Sequence, residues 1–143
     1  MGGSGAIVVG VDGTNSSMRA GAYALGLARR QRCELVAVYV RALPSALIPL
    51  ADTSGSATTT IMATHDDVER ELRLLVAQQV RSDVDVRLVV RHGEPYTELV
   101  DVAKQVRADA VIVGQSCRTL HRIAGSLSTK LVRSGRWPVT VVP

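Results

Sequence analysis

The sequence predicts an α/β fold, a single open parallel sheet of five strands with helices on both faces. Two observations carry that expectation. Apolar runs rich in Val and Ile alternate along the chain with segments of helical periodicity. The runs also carry few polar interruptions, as strands covered on both faces do. With 143 residues, 46% of them hydrophobic, and no low-complexity tract, one domain over residues 1–143 can bury its own core.

The elements follow in order. AIVVGV, Ala6 to Val11, is the first strand. SMRAGAYALGLARR, Ser17 to Arg30, places Met18, Ala22, Leu25 and Ala28 on one helical face, with Asn15 or Ser16 as its cap. ELVAVYV, Glu34 to Val40, is the second strand. From Arg41 to Ala63 two prolines and a Ser/Thr/Gly-rich centre erase any period, so a long flexible crossover loop is expected before the helix HDDVERELRLLVAQQ. VDVRLVV, Val84 to Val90, is the third strand. The turn HGEP then delivers Pro95 to the first turn of a helix with Leu99, Val102, Ala103 and Val106 along one side. AVIVG is the fourth strand, and PVTVV, with Pro138 at its start, the fifth.

Composition excludes several function classes. A net charge of +4 invites a polyanion, but Phe is absent and only Tyr23, Tyr39, Tyr96 and Trp137 offer aromatic faces, so no nucleic-acid partner is expected. After Asp109 there is no acidic residue, whereas Arg118, Arg122, Lys130, Arg133 and Arg136 follow, which makes the last third the natural place to attract an anion. For Lys130, Arg133 and Arg136, a helix surface and C-terminus suited to cations is explanation enough. No apolar run approaches the roughly 20 residues of a membrane span, and the opening MGGSGAIVVG lacks the marks of a secretory signal, so a cytoplasmic protein is expected. Cys33 and Cys117 lack metal-ligand spacing, and Cys33 reads as a small core residue. His65, His92 and His121 share no ligand spacing and read as exposed.

Known catalytic and phosphate motifs are absent in their full form. GxxxxGK[ST] does not occur, and GxGxxG follows neither strand that could use it. GQSCR resembles a nucleophile elbow around Ser116, but Arg118 stands where a small residue must close the turn, and no acid follows it in sequence. What remains is a pair of strand ends. VGVDGT closes the first strand, and GQSCRTLHRIAGS leads from the fourth strand into a helix, so both face one crevice of a doubly wound sheet. Asp12 is placed there either to meet a ribose hydroxyl or to stabilise its own turn, DGTNSS.

VVGVDGTNSS, GEPYTELVDVAKQVRADAVIVG and GSLSTKLVRSGRWPVTVVP together resemble the universal stress protein family over essentially the whole chain. The resemblance implies a Rossmann-like, adenine nucleotide alpha hydrolase-like sheet of order 3-2-1-4-5. It also implies a homodimer formed by antiparallel pairing of the last strands, residues 138–142. Many members bind ATP through a loop of Gly, two residues, Gly, nine residues, Gly, then Ser or Thr. Gly114 matches the first glycine, and Gly125 with Ser126 match the last pair. Cys117 stands at the second glycine, and only RTLHRIA, seven residues, separates it from Gly125. This is a degenerate ATP-binding loop, altered in chemistry and two residues shorter. A Cβ at Cys117 opposes the close backbone approach that a glycine permits.

By the same resemblance, Val11, Asp12 and Val40 line the adenine and ribose side, Val113 lies at the floor, and Leu127 follows Gly125 and Ser126 at a helix N-terminus suited to phosphate. Arg118, His121 and Arg122 are candidate phosphate contacts. The expected ligand is ATP with Mg2+, or a smaller nucleotide such as AMP or a cyclic nucleotide, or none. No metal-ligating set and no catalytic residue are expected. Three functions compete: a non-enzymatic regulatory module in stress response, an interaction protein with an empty crevice, and a slow ATPase in which His121 is the one candidate base. The first is favoured.

Overall fold

A computed structural model describes residues 5–42, 56–79, 83–115 and 127–143. Five strands form one fully parallel sheet: β1 (Ala6–Gly10), β2 (Glu34–Arg41), β3 (Val86–His92), β4 (Ala110–Gly114) and β5 (Val139–Val142). Their order is β3-β2-β1-β4-β5, as the resemblance implies. Four helices connect them: α1 (Asn15–Gln31), α2 (Ser56–Gln78), α3 (Pro95–Gln105) and α4 (Leu127–Ser134). Among the described residues, no helix is long and apolar enough to cross a membrane.

Alternation along each strand divides the core into two layers. Ile7, Val9, Leu35, Ala37, Tyr39 and Ile112 meet α1 and α2, while Val8, Val36, Val38, Val111 and Val113 meet α3 and α4. Every one of these side chains is buried, which is why the strands show continuous apolar runs rather than a period of two. Chain direction reverses about β1: the chain moves outward to β2 and β3, then crosses to β4 on the other side. The carboxyl ends of β1 and β4 consequently part to form the crevice of a doubly wound sheet.

Two helices differ from expectation. The cap of α1 is Thr14, whose Oγ1 accepts from the Ser17 amide, so the helix starts at Asn15 rather than Ser17. Its buried residues are Ser16, Ser17, Ala20, Ala24 and Ala28, whereas Ala22 is exposed and Met18 and Leu25 flank the contact. Close approach of helix to sheet selects the small side chains for the centre and moves the larger ones to its margins. α2 begins at Ser56, inside the segment expected to be loop; residues 43–55 lie outside the described part of the chain. Ile61, His65, Val68, Leu72 and Leu75 are all at least half-buried, a helical stripe that continues upstream through a histidine. The polar member of that stripe and the run of threonines hid it in the sequence. α3 conforms: Pro95 opens it, the Glu94 carboxylate caps the Thr97 amide at 2.8 Å, and Leu99, Val102 and Ala103 are buried.

Candidate functional site

β1 stops at Gly10, and the next residue still reaches across to β2, the Val11 amide donating to the Val38 carbonyl at 2.9 Å. The Val11 side chain is buried in the layer beneath α1 and α2. The chain then turns sharply. Asp12 is exposed, and its Oδ1 accepts from the Thr14 amide (2.9 Å) and the Thr14 hydroxyl (2.6 Å). The Asp12 amide donates to Ser17 Oγ at 3.1 Å, and Gly13 takes a φ of +83° that favours glycine. One carboxylate oxygen of Asp12 thus holds the turn, at the place where the sheet opens.

The β2 side of the crevice is backbone. The Leu35 amide bonds Asp85 O and the Arg41 carbonyl accepts from the Gly93 amide, so odd residues of β2 address β3, while the Val38 carbonyl addresses β1. By this alternation the amide and carbonyl of Val40 point toward β1, two residues beyond the pairing of Gly10 with Val38. Had β1 continued in register, Asp12 would lie opposite Val40. The Val40 side chain packs in the layer of α3 and α4.

The end of β4 forms the opposite wall. Val113 is buried in that same layer, where a Cβ on Gly10 would sit 3.4 Å from Val113 Cγ1. Gly114 presses on the start of α1: a Cβ there would lie 2.5 Å from Ser16 C and 2.6 Å from Ser17 N. Ser16 Oγ donates to the Gln115 carbonyl at 2.7 Å, and the Gln115 amide donates to the Val142 carbonyl at 2.7 Å, so the end of β4 is tied to α1 and to β5. Leu127 opens α4 and packs against the α3 and α4 layer. The structure thereby brings Val11, Asp12, Val40, Val113 and Gly114 to neighbouring strand ends. Cys117, Arg118, His121, Arg122, Gly125 and Ser126 lie outside the described residues.

A cluster beside the crevice had escaped the sequence analysis. At the end of β2, His65 of α2 is half-buried, not exposed, and hydrogen-bonds both Tyr39 Oη and the Ala42 carbonyl, the latter at 3.0 Å. Since a carbonyl only accepts, Nε2 donates to Ala42, and Nδ1 and the Tyr39 hydroxyl share the other hydrogen bond. Next to it Arg41, its side chain 9% exposed, pairs with Asp66 (2.8 Å) and Glu69 (3.3 Å) and reaches the Met62 carbonyl (3.4 Å). Burial acts to lower the Arg41 guanidinium; the hydrogen bonds to Asp66 and Glu69 outweigh it and hold the group above its ordinary value. Arg41 Nε is buried without a partner among the described residues. The sequence signal was an arginine closing an apolar strand, with HDDVE ahead in the next helix.

Burial, then the charge of Asp109, raises the Cys33 thiol, which opposes thiolate chemistry and suits a core residue. Among the described residues, no group of three His, Cys, Asp or Glu side chains is placed to hold a metal ion.

Comparison with known proteins follows the same lines. The Universal stress protein family matches residues 4–143. A universal stress protein of Methanocaldococcus jannaschii is 25% identical over 138 residues, 95% of this chain and 80% of its own. The fold is shared with UspA of Lactobacillus plantarum, with a TM-score of 0.76 at 22% identity over 98% of each chain. A universal stress protein solved in complex with cAMP superposes with a TM-score of 0.63 at 24% identity, covering 96% of this chain and 95% of that one. One from Archaeoglobus fulgidus in complex with dAMP gives 0.65 at 19% identity, covering 97% and 98%. The chain belongs to the universal stress protein family, on the five-stranded parallel sheet of that family.

Proposed function

We propose that this protein is a cytoplasmic, non-enzymatic regulatory module of stress response that reads an adenine nucleotide in the crevice at the carboxyl ends of β1, β2 and β4. The observation that carries the reading is the direction of the Val40 backbone. Its amide and carbonyl address the space beyond the end of β1, where they form a donor and acceptor pair suited to the edge of a purine. Asp12, at the register position opposite, supplies a carboxylate to a ribose hydroxyl. Structural relatives that hold cAMP and dAMP support the ligand class.

The phosphate side favours a small ligand. Gly114, Gly125, Ser126 and Leu127 retain the anchor positions, and Arg118, His121 and Arg122 supply cations, but Cys117 and the two missing residues alter the part that would enclose a triphosphate. A monophosphate, AMP or a cyclic nucleotide, needs the helix N-terminus and not the whole loop. ATP with Mg2+ is the weaker candidate, and no residue is assigned to its hydrolysis. The second reading, an interaction protein whose crevice stays empty, draws on the same altered loop.

The proposed assembly is a homodimer through β5. Val139–Val142 is an edge strand, and beside it a shallow groove of about 320 Å³ is lined by Ser128, Thr129, Val132, Arg133 and Val141. Val132 (59% exposed) and Val141 (41%) are the apolar surface that pairing would cover.

A thermal-shift titration with AMP, cAMP, ATP and ATP with magnesium tests the ligand. Binding to the folded state raises Tm with ligand concentration, by an amount set by the ratio of free ligand to Kd. The expected result is a rise with AMP or cAMP that exceeds the rise with ATP. No rise with any of the four, and no nucleotide carried through purification, would leave the empty-crevice reading in its place.

A further inference from the structure

The two walls of the crevice nearest β2 do not stand alone; both are held by one stretch of α2. Across residues 62–69, His65 bridges the Tyr39 hydroxyl and the Ala42 carbonyl, Asp66 and Glu69 grip the Arg41 guanidinium, and the Met62 carbonyl receives a third bond from it. These contacts fix Tyr39, Arg41 and Ala42, the neighbours of Val40 on either side. On the same stretch Val68 lies against the β1–α1 turn, where a Cβ on Gly13 would come within 3.2 Å of Val68 Cγ1. Gly13 is the residue after Asp12. One helical segment thus touches the chain next to both groups assigned to the nucleotide.

The rest of α2 is held weakly. Among its described residues only Leu72 is buried, so a 23-residue helix rests on a narrow apolar stripe and on this polar cluster. The cluster itself is incompletely satisfied. Among the described residues Arg41 Nε is buried without a partner, and Asp66 is 58% exposed. An element with little buried surface and a removable polar anchor is one whose docking equilibrium can be shifted.

We propose that the 62–69 stretch of α2 is the positioning element of the crevice: it sets the separation of Val40 from Asp12, so docking of α2 and occupancy of the crevice are coupled. His65 is the positioning residue at its centre, and coupling is reciprocal, so a bound ligand tightens α2 as docked α2 tightens the ligand. This makes α2 the element through which the ligand state is passed on. The coupling to a ligand rests on the nucleotide reading above; the mechanical link between α2 and the two walls does not.

Site-resolved hydrogen exchange on the ligand-free protein tests the link directly. His65→Ala is expected to speed exchange at the amides of Val11, Thr14 and Gly93, which donate to the Val38 carbonyl, Asp12 Oδ1 and the Arg41 carbonyl, at least tenfold, with the amides of β4 and the middle of β1 unchanged as the control for folding. His65→Gln, whose amide can again donate to Ala42 and accept from Tyr39, is expected to restore protection. A merely space-filling His65 would not distinguish Gln from other residues of its size, so His65→Met is the third variant and is expected to behave as Ala does. Unchanged exchange at Val11, Thr14 and Gly93 in His65→Ala, or equal protection in the Gln and Met variants, overturns the proposal. In a parallel arm, the Kd for AMP is expected to rise about tenfold in His65→Ala and recover in His65→Gln. Equal Kd in all variants overturns the coupling. If wild type binds no nucleotide, the nucleotide reading fails and the coupling to a ligand falls with it, while the exchange result still decides the mechanical link.

Discussion

Gly114 has no room for a side chain. The atoms that a Cβ would meet at 2.5, 2.6 and 2.7 Å are Ser16 C, Ser17 N and Ser16 O, all backbone, and all fixed by the first turn of α1. Gly114→Ala must therefore push β4 away from α1 and stretch the bond from Ser16 Oγ to Gln115 O. A cost of about 1–3 kcal/mol is expected for such overpacking, a fall of roughly 3–10 °C in Tm for a domain of this size, read by thermal unfolding. The position shows why a glycine that resembles the start of a phosphate loop is also a packing glycine. Its role beside α1 follows from sheet order, and no spacing in the sequence reveals it. Arg41 is the converse case. A buried guanidinium whose Nε has no partner among the described residues carries a penalty of about 1–3 kcal/mol for the missing hydrogen bond, which the two carboxylates of α2 offset.

At the scale of the element, α3 shows a cap that titrates. Glu94 accepts from the amide and hydroxyl of Thr97, both at 2.8 Å, and Lys130 stands 3.8 Å away. Burial acts to raise its carboxyl; the bonds from Thr97 and Tyr96 and the charge of Lys130 outweigh it, so its folded value lies below the ordinary one. A depressed carboxyl stabilises the fold above its unfolded value, about 4.3 for Glu, and that stability is lost as pH falls through the lower folded value. Glu94→Gln is expected to be less stable than wild type by about 0.5–1 kcal/mol at neutral pH. The difference should hold above about pH 5 and shrink as pH falls below the ordinary Glu value of about 4.3, in thermal scans across that range. A difference independent of pH would show that the carboxylate charge contributes nothing to the cap.

For the whole molecule, the exposed edge of β5 is the feature that a lone copy leaves unresolved. A strand edge flanked by exposed Val132 and Val141 invites pairing with an identical edge, because antiparallel pairing about a two-fold axis satisfies both at once. Val141→Asp places a charge on that surface and is expected to convert the proposed dimer to a monomer in light scattering coupled to size exclusion. A wild-type protein that already runs as a monomer would overturn the proposed assembly.

The sequence by itself determined the fold class, the five strands to within two residues at their ends, the start of α3 and the family. These rest on local signals: continuous apolar runs, a proline after a turn, and the recognisable segments at each end of the chain. It also placed Asp12, Val40 and Gly114 at strand ends, because strand ends are where such patterns stop. Only the tertiary structure decided which side chains face which layer of α1, since close packing against a sheet selects Ala20, Ala24 and Ala28 over larger neighbours. Only it joined His65 and Glu69 to Tyr39 and Arg41, residues 26 and 28 positions apart. Periodicity reports what is apolar and near in sequence. A polar cluster assembled across a crossover leaves no period, and its partners meet only once β2 and α2 are packed together.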